Sequence, residues 1–189
     1  MSQGKIVIFS APSGAGKTTI VRHLLAKNKC LTFSISATTR SKRPNEIDGK
    51  DYYFLSKETF MNKIAQNAFA EYEQVYDGLF YGTLKDEIIR IWNEGRHIIV
   101  DVDVKGGLNL KKQYGEKALA IFVKPPDITT LEERLRNRKT ESEEKLQERI
   151  TKASEELNYE KYFDVTLIND DIEKAFKEAE SLVDSFILS

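Results

Sequence analysis

The stretch that decides the fold is SAPSGAGKTT, residues 10–19. It follows a short apolar run and precedes a segment whose apolar residues recur at helical spacing. Phosphate-binding loops of the pattern G-x-x-x-x-G-K-[ST] begin with glycine, whereas this chain has Ala11 there. Pro12 favours an extended backbone at the residue before it, so alanine is acceptable if its φ stays negative. The stretch therefore predicts a functional phosphate loop rather than a merely structural glycine-rich turn.

The chemistry of such a loop belongs to its later positions. Backbone N–H groups around Gly14 to Thr18 form a concave nest of donors, and the following helix adds partial positive charge. Gly14 and Gly16 let the backbone approach phosphate oxygens. Lys17 reaches the β- and γ-phosphates, and the Thr18 hydroxyl can ligate Mg²⁺. The loop alone does not say which phosphoryl chemistry follows.

Alternating strands and helices predict an α/β fold with a parallel central sheet. The predicted strands are the apolar runs in KIVIFS (5–10), HIIVDVDV (97–104), ALAIFV (118–123) and DVTLIN (164–169). A helix is predicted from Lys17 onwards, and another closes the chain. The loop placed between strand and helix makes this a three-layer α/β/α P-loop fold.

Composition limits the possible functions. The 189 residues suit one domain, and a net charge of −1 gives no general basic field for nucleic acid or an anionic membrane. The N-terminal apolar run is only four residues long, and no segment has the roughly 20 apolar residues of a membrane span. The lone Cys30 fits a reducing compartment, so a cytoplasmic location is expected. With no His/Cys cluster, no zinc site is predicted.

Two segments interrupt the alternation. Residues 34–84, the insert, are rich in Thr, Arg and Tyr and suggest a small mixed subdomain. Residues 125–155, the lid, are densely charged and helical, without a wide apolar stripe. Such a segment is expected to be mostly solvated, or to close over something charged.

Asp101 and Asp103 end the second predicted strand two residues apart, so both should point to one side. Carboxylates at the end of a buried strand need a metal, a base edge or cations. Asp101 is therefore a candidate Mg²⁺ ligand acting through water, and Asp103 faces the acceptor. Alternatively, Asp103 caps the start of a helix.

Six stretches resemble the guanylate kinases over residues 5–185: SAPSGAGKTT, SATTRSKRPNEIDGKDYYF, FYGT, IIVDVDVKGG, RLRNRKTE and LINDD. The resemblance implies transfer of the ATP γ-phosphoryl to GMP, and also to dGMP, with Mg²⁺ as cofactor. It implies one domain over 1–189, with a core (1–33, 85–124 and 156–189), a GMP-binding insert (34–84) and a lid (125–155).

The insert carries the predicted acceptor site. Arg40 and Arg43, three apart, can both reach one phosphate dianion, and the hydroxyls of Tyr52 and Tyr81 can donate to it. By resemblance, the guanine readers are Ser36, Glu71, Thr83 and Asp103, where a carboxylate accepts from guanine N1 and N2. Glu73 is the rival of Glu71 for this role. The predicted GMP-binding set is Ser36, Arg40, Arg43, Glu46, Tyr52, Glu71, Tyr81, Thr83, Asp101 and Asp103.

The loop and the lid carry the predicted ATP site. By resemblance, Arg138 and Arg149 clamp phosphates, Arg134 lies along the adenine and Asn169 contacts its edge. The predicted ATP-binding set is Ala11, Pro12, Ser13, Gly14, Ala15, Gly16, Lys17, Thr18, Thr19, Arg134, Arg138 and Asn169. The predicted catalytic set is Lys17, Arg40, Arg138 and Arg149.

Three alternatives remain open. A guanylate-kinase-like binding module without catalysis is disfavoured because Lys17 and Thr18 are intact. A GTPase is disfavoured because the D-x-x-G match at 103–106 has no following N-K-x-D. A P-loop kinase for another small phosphorylated acceptor could use the same arginine pair, although Glu71 and Thr83 favour guanine.

Overall fold

Strands and helices alternate along most of the chain in the computed structural model, which describes residues 4–76, 78–137 and 143–189. The strands are β1 (Ile6–Ser10), β2 (Leu31–Phe33), β3 (Ala37–Thr38), β4 (Tyr53–Phe54), β5 (Phe69–Tyr76), β6 (Leu79–Leu84), β7 (His97–Asp101), β8 (Ala118–Lys124) and β9 (Val165–Ile168). The helices are α1 (Lys17–Lys27), α2 (Lys57–Ala65), α3 (Lys85–Asn93), α4 (Val104–Tyr114), α5 (Ile128–Arg136), α6 (Glu143–Leu157) and α7 (Ile172–Leu188).

The central sheet is parallel, in the order β2-β7-β1-β8-β9, and confirms the predicted fold class. The interiors of its central strands are apolar and buried, as expected where helices cover both faces. One face packs against α1 and α7, and the other packs against α3 and α4. The four predicted strands are present, and β2 is an additional edge strand of three residues that the sequence analysis missed.

This strand order determines where a ligand can bind. The phosphate loop follows the central strand β1, and the neighbouring β7 ends at Asp101. In open parallel sheets, ligands bind in the crevice beyond the carboxyl ends of the strands. The loop and Asp101 therefore meet at one edge.

The predicted strand 97–104 is shorter than expected and ends at Asp101. Asp103 is instead the N-cap of α4, and its Oδ1 accepts a hydrogen bond of 2.7 Å from the Gly106 amide. A capping carboxylate satisfies a helix donor that would otherwise be orphaned. The expectation that Asp101 and Asp103 lie on one strand is thus wrong, and the capping alternative is correct.

A second sheet, ordered β4-β3-β6-β5, lies within residues 34–84. β5 and β6 form an antiparallel hairpin, and α2 packs on the sheet through Phe60, which is fully buried and stacks on Phe69 at 4.4 Å. This separate apolar cluster lets the insert hold its own shape at the edge of the central sheet.

The lid segment is exposed over much of its surface, but it also has a narrow buried apolar stripe. α5 and α6 bury Leu131, Leu135, Ile150 and Ala153 between them. Each helix contributes two of these residues, so neither helix alone has a wide apolar stripe. α5 also packs on the phosphate loop, since a Cβ at Gly14 would lie 3.1 Å from Leu135. The lid is thus seated on the loop through apolar contacts.

Candidate active site

The phosphate loop takes the backbone shape that its glycines permit. Gly14 and Gly16 have φ of 93° and 91°, in the left-handed region that other residues rarely adopt. Among the described non-glycine residues only Asn67 has positive φ, so Ala11 has an ordinary backbone. The methyl group at the first position of the motif therefore leaves the loop intact.

Lys17 and Thr18 meet Asp101 at the carboxyl ends of β1 and β7. The Lys17 ammonium forms an ion pair with Asp101 and donates to the Val102 carbonyl at 2.9 Å. The Thr18 hydroxyl donates to the other Asp101 oxygen at 3.3 Å. Both side chains of the ion pair are largely buried, which strengthens it relative to a surface pair. The start of α1 therefore carries one cation, Lys17, and two oxygen groups, from Thr18 and Asp101, of the kind that bind metal ions.

A cavity of about 420 Å³ opens between the loop, the insert and the lid. It joins most of the predicted residues, which come from four separate parts of the chain. The predicted residues on its wall are Ala11, Pro12, Ser13, Gly14, Gly16, Lys17, Thr18, Thr19, Ser36, Tyr52, Glu71, Tyr81, Asp101, Asp103 and Arg149. Both halves of the predicted site therefore share one cavity.

Some predicted residues lie behind that wall. Arg40 forms a two-pronged ion pair with Glu46, at 2.7 and 3.0 Å, and Glu46 also accepts from the Arg43 amide at 2.8 Å. The contact with Glu46 raises the pKa of Arg40, and the same contact lowers the pKa of Glu46. Glu46 thus holds the arginine segment in shape instead of facing the cavity, and the Arg43 side chain is exposed.

Tyr52 and Tyr81 stand beside Arg40. Their rings meet edge to face at 6.0 Å, and the Arg40 guanidinium lies 5.4 Å from the Tyr52 ring centroid. Burial raises the pKa of Tyr52, so its hydroxyl stays a neutral donor. A phosphate dianion at this place would accept hydrogen bonds from the two tyrosine hydroxyls, with the positive charge of Arg40 close behind them.

Glu71 is a buried carboxylate on the cavity wall, with 7% of its surface exposed. The Thr83 hydroxyl donates to its Oε1 at 2.7 Å, so Thr83 orients Glu71 from behind. Burial raises the pKa of Glu71 to about 7, and the nearby Asp103 carboxylate adds to this. A Cβ at Gly106 would lie 2.6 Å from Glu71 Oε2, so glycine at that position makes room for the carboxylate.

Glu73, the rival carboxylate, also lies on β5 and lines the cavity. It accepts from Asn109 Nδ2 at 3.3 Å and is more exposed than Glu71. Strand periodicity puts both carboxylates on one face. Depth and the Thr83 hydrogen bond distinguish Glu71 from Glu73.

The predicted adenine side is held by β9 and α5. Arg134 donates to the Asn169 carbonyl at 3.0 Å, and its buried Nη1 finds no hydrogen-bond partner in the described ranges. The buried Asn169 side chain donates to the Ala15 carbonyl at 2.7 Å. The side-chain amide of Asn169 therefore holds the phosphate loop in place. Arg138 lies outside the described residues.

Lys152 and Glu156 also line the cavity, and the sequence analysis did not select them. Together with Arg149 they follow positions i, i+3 and i+7 of α6, which places all three on one helix face. This helical spacing from Arg149 is the feature of the sequence that could have identified Lys152 and Glu156. Glu156 is largely buried, and burial raises its pKa.

We expect Asn169→Ala to raise the KM for ATP about fivefold to tenfold, because the variant leaves the Ala15 carbonyl without its buried donor. The KM for GMP should change less than twofold, since the loop edge and the insert are separate parts of the cavity. Steady-state kinetics with each substrate varied in turn measures both. Asn158→Ala, on an exposed residue after α6, is the matched control.

Among the described residues, no group of three or more His, Cys, Asp or Glu side chains could hold a metal ion by itself. None of the helices in those ranges combines the length and apolarity needed to cross a bilayer.

The chain is similar to proteins of one family across nearly its whole length. The family model described as guanylate kinase matches residues 3–186. The guanylate kinase of Bacteroides fragilis is 48% identical, over 98% of this chain and 91% of that protein. That of Porphyromonas gingivalis is 46% identical, over 97% of this chain and 98% of its own length. The crystal structure of guanylate kinase from Anaplasma phagocytophilum matches with a TM-score of 0.77 and 25% identity, covering all of this chain and 89% of that one.

Residues predicted for the phosphate loop and residues predicted for the acceptor site line one cavity of this chain. The chain belongs to the guanylate kinase family and is an ATP:GMP phosphotransferase.

Proposed function

We propose that the γ-phosphoryl group passes from ATP to GMP or dGMP inside the cavity between loop, insert and lid, with Mg²⁺ as the required cofactor. The observation that supports this most is the shared cavity, which is lined by both Lys17 and Glu71. In phosphoryl transfer the protein mainly positions reactants and neutralises developing charge. A common cavity for donor-side and acceptor-side groups meets that requirement.

Guanine is read by the carboxylate of Glu71. Guanine offers N1–H and N2–H donors on one edge, and a carboxylate can accept both. Adenine lacks that pair of donors, so it would leave the buried carboxylate unpaired, at a large cost. Thr83 holds Glu71, and Ser36 stands on the same wall to donate to the remaining acceptors of the base.

The acceptor phosphate is bound by Tyr52, Tyr81 and the arginine segment. The Arg40 guanidinium, held by Glu46, supplies the positive charge that two neutral phenols lack. The Arg43 side chain is exposed and would bind the acceptor phosphate when that dianion is present. No general base is needed, because the attacking group is already a phosphate anion.

On the donor side, Lys17 and Arg149 neutralise the charge that develops on the transferring group. Arg138 is proposed as a second lid cation from the sequence alone. Seating of the lid on the loop would exclude water, which would otherwise compete as acceptor.

The residues present fit Mg²⁺. The Thr18 hydroxyl and the Asp101 carboxylate, 3.3 Å apart, offer hard oxygen ligands beside the loop. Mg²⁺ is usually bound by one or two protein oxygens together with substrate phosphates and water, which agrees with the absence of a complete cluster in the described ranges. When bound, the ion supplies charge neutralisation on the donor phosphates.

The test is coupled ADP release from ATP, offering GMP, dGMP, AMP, CMP and UMP separately, with and without EDTA. Turnover confined to GMP and dGMP, and abolished by EDTA, supports the proposal in full. Turnover with AMP or a pyrimidine nucleotide would contradict the role of Glu71. GMP binding without any turnover would favour a silent binding module.

We expect Thr18→Ala to raise the Mg²⁺ concentration needed for half-maximal rate about tenfold or more, because the metal loses a ligand. The rate at saturating Mg²⁺ should recover in part. A Mg²⁺ titration at fixed ATP measures this. Thr151→Ala, an exposed threonine of α6, should leave the titration unchanged.

A further inference from the structure

The insert is joined to the core by two connections, and both pass the carboxylate of Glu87. The chain leaves the core after β2 through residues 34–36, and it returns from β6 directly into α3. Glu87 lies in the first turn of α3 and is only 4% exposed. Its neighbours on the buried side of that helix are Ile88 and Ile91, so a carboxylate here is unexpected.

Glu87 makes hydrogen bonds to three separate parts of the fold. Its Oε1 accepts from the Ile35 amide at 3.4 Å, on the outgoing connection. Its Oε2 accepts from the Tyr53 hydroxyl at 3.1 Å, on β4 of the insert sheet. Arg90, one turn along α3, donates to both oxygens at 2.8 and 3.1 Å. One carboxylate therefore ties the outgoing connection and the insert sheet to the returning helix.

The buried charge is compensated where it stands. Burial alone would raise the pKa of Glu87, but the hydrogen bonds from Arg90 and the Ile35 amide outweigh it and lower that pKa. Arg90 is itself held in place by Glu94 at 2.6 Å. Glu87 is thus an ionised acceptor, which makes stronger hydrogen bonds than a neutral one.

Both anchored residues are direct neighbours of residues on the cavity wall. Ile35 precedes Ser36, and Tyr53 follows Tyr52. The Tyr53 amide also donates to the Ser36 carbonyl at 2.9 Å, so the two anchored segments support each other. Because side chains alternate along a strand, Tyr53 can bond Glu87 while Tyr52 faces the cavity.

We propose that Glu87 is a positioning residue for the acceptor site, which fixes the orientation of the insert relative to the central sheet so that Ser36 and Tyr52 face the phosphate loop. This inference rests on the proposed function of the cavity as the GMP site. Loss of the anchor lets the insert sample other orientations. The apparent affinity for GMP then falls in proportion to the competent fraction.

The test compares Tyr53→Phe and Glu87→Gln with the unaltered chain. Tyr53→Phe removes one hydroxyl, and Glu87→Gln keeps the shape but removes the charge. Both should weaken GMP binding by calorimetry, and raise the KM for GMP, about threefold to tenfold. The KM for ATP should change less than twofold. Hydrogen exchange of a peptide spanning residues 34–36 should be faster in Glu87→Gln.

The matched control is Asp86→Asn, which changes an exposed carboxylate in the same first turn of α3, one residue before Glu87. It should leave GMP affinity unchanged. A purely structural role for Glu87 would lower the melting temperature and leave the affinity of the folded protein for GMP unaltered, and that result overturns the inference. Equal loss of GMP and ATP affinity would also overturn it. Failure of the unaltered chain to bind GMP would instead reject the proposed function.

Discussion

Replacement of Lys17 by methionine is expected to lower kcat about a thousandfold, the scale seen when a preorganised charge is removed from a developing anion. The Lys17 ammonium is held near the loop by Asp101 and the Val102 carbonyl. It therefore needs little reorganisation to meet the donor phosphates, and methionine keeps an unbranched side chain one atom shorter, without the charge. GMP binding should change less than threefold, because the guanine side of the cavity is untouched.

Lys27→Met is the matched control, since Lys27 lies on the same helix with 64% of its side chain exposed. Coupled ADP release measures the rates, and thermal unfolding of both variants checks that Asp101 without its partner has not unfolded the protein. A Lys17→Met protein that keeps more than about a tenth of the rate would show that Lys17 is not the main electrostatic group.

Much of the fold was predictable because the central strands are buried on both faces. Runs such as Ile6–Phe9 need no tertiary information to be recognised. β2 was missed because only Leu31 among its three residues is buried, which leaves no pattern to detect. The end of β7 was misjudged because DVDV alternates like a strand, while Asp103 bonds locally to the Gly106 amide.

The site was predictable as a set of residue types and less so as a set of contacts. The pairing of Arg40 with Glu46, and of Asn169 with the Ala15 carbonyl, depends on distances that no motif encodes. The apolar contact between α5 and α6 could not be predicted from either helix alone, because each contributes only part of it. The domain boundaries, the role of Arg138 and the cytoplasmic location stay predictions from sequence.

The second large effect is expected at Glu71. Glu71→Gln should weaken GMP binding about tenfold to a hundredfold, the range for a lost hydrogen bond to a charged group. Glutamine offers one acceptor and two donors, so it cannot accept from both N1 and N2 of guanine. The KM for ATP should be unchanged. Discrimination against AMP should shrink, because a neutral amide no longer penalises adenine.

Glu73→Gln is the matched control, two residues along the same strand and nearer solvent. It should change GMP affinity less than threefold. The opposite ranking, with the larger loss in Glu73→Gln, would assign guanine reading to Glu73 and reject Glu71. Calorimetry with GMP and with dGMP distinguishes the two outcomes directly.

The pH dependence provides an independent check on the same carboxylate. Burial raises the pKa of Glu71 to about 7, so the free protein carries it largely protonated at pH 6 and ionised at pH 8. Guanine requires the ionised form, so GMP affinity should fall about tenfold from pH 8 to pH 6. The GMP phosphate also titrates near pH 6, but that contribution remains in Glu71→Gln.

The stability of the ligand-free protein should change with pH in the opposite direction to the GMP affinity, and fall as the pH rises. A carboxyl whose folded pKa is raised contributes stability that is fully present below its unfolded pKa, and that is lost as the pH rises through about 7. Denaturant unfolding of the unaltered chain should therefore show a decline between about pH 4.5 and 7.5 that Glu71→Gln lacks. Saturating GMP should reverse the decline, because it binds the ionised form. If the two proteins show the same pH profile, the carboxylate is not the buried, proton-linked group that guanine recognition here requires.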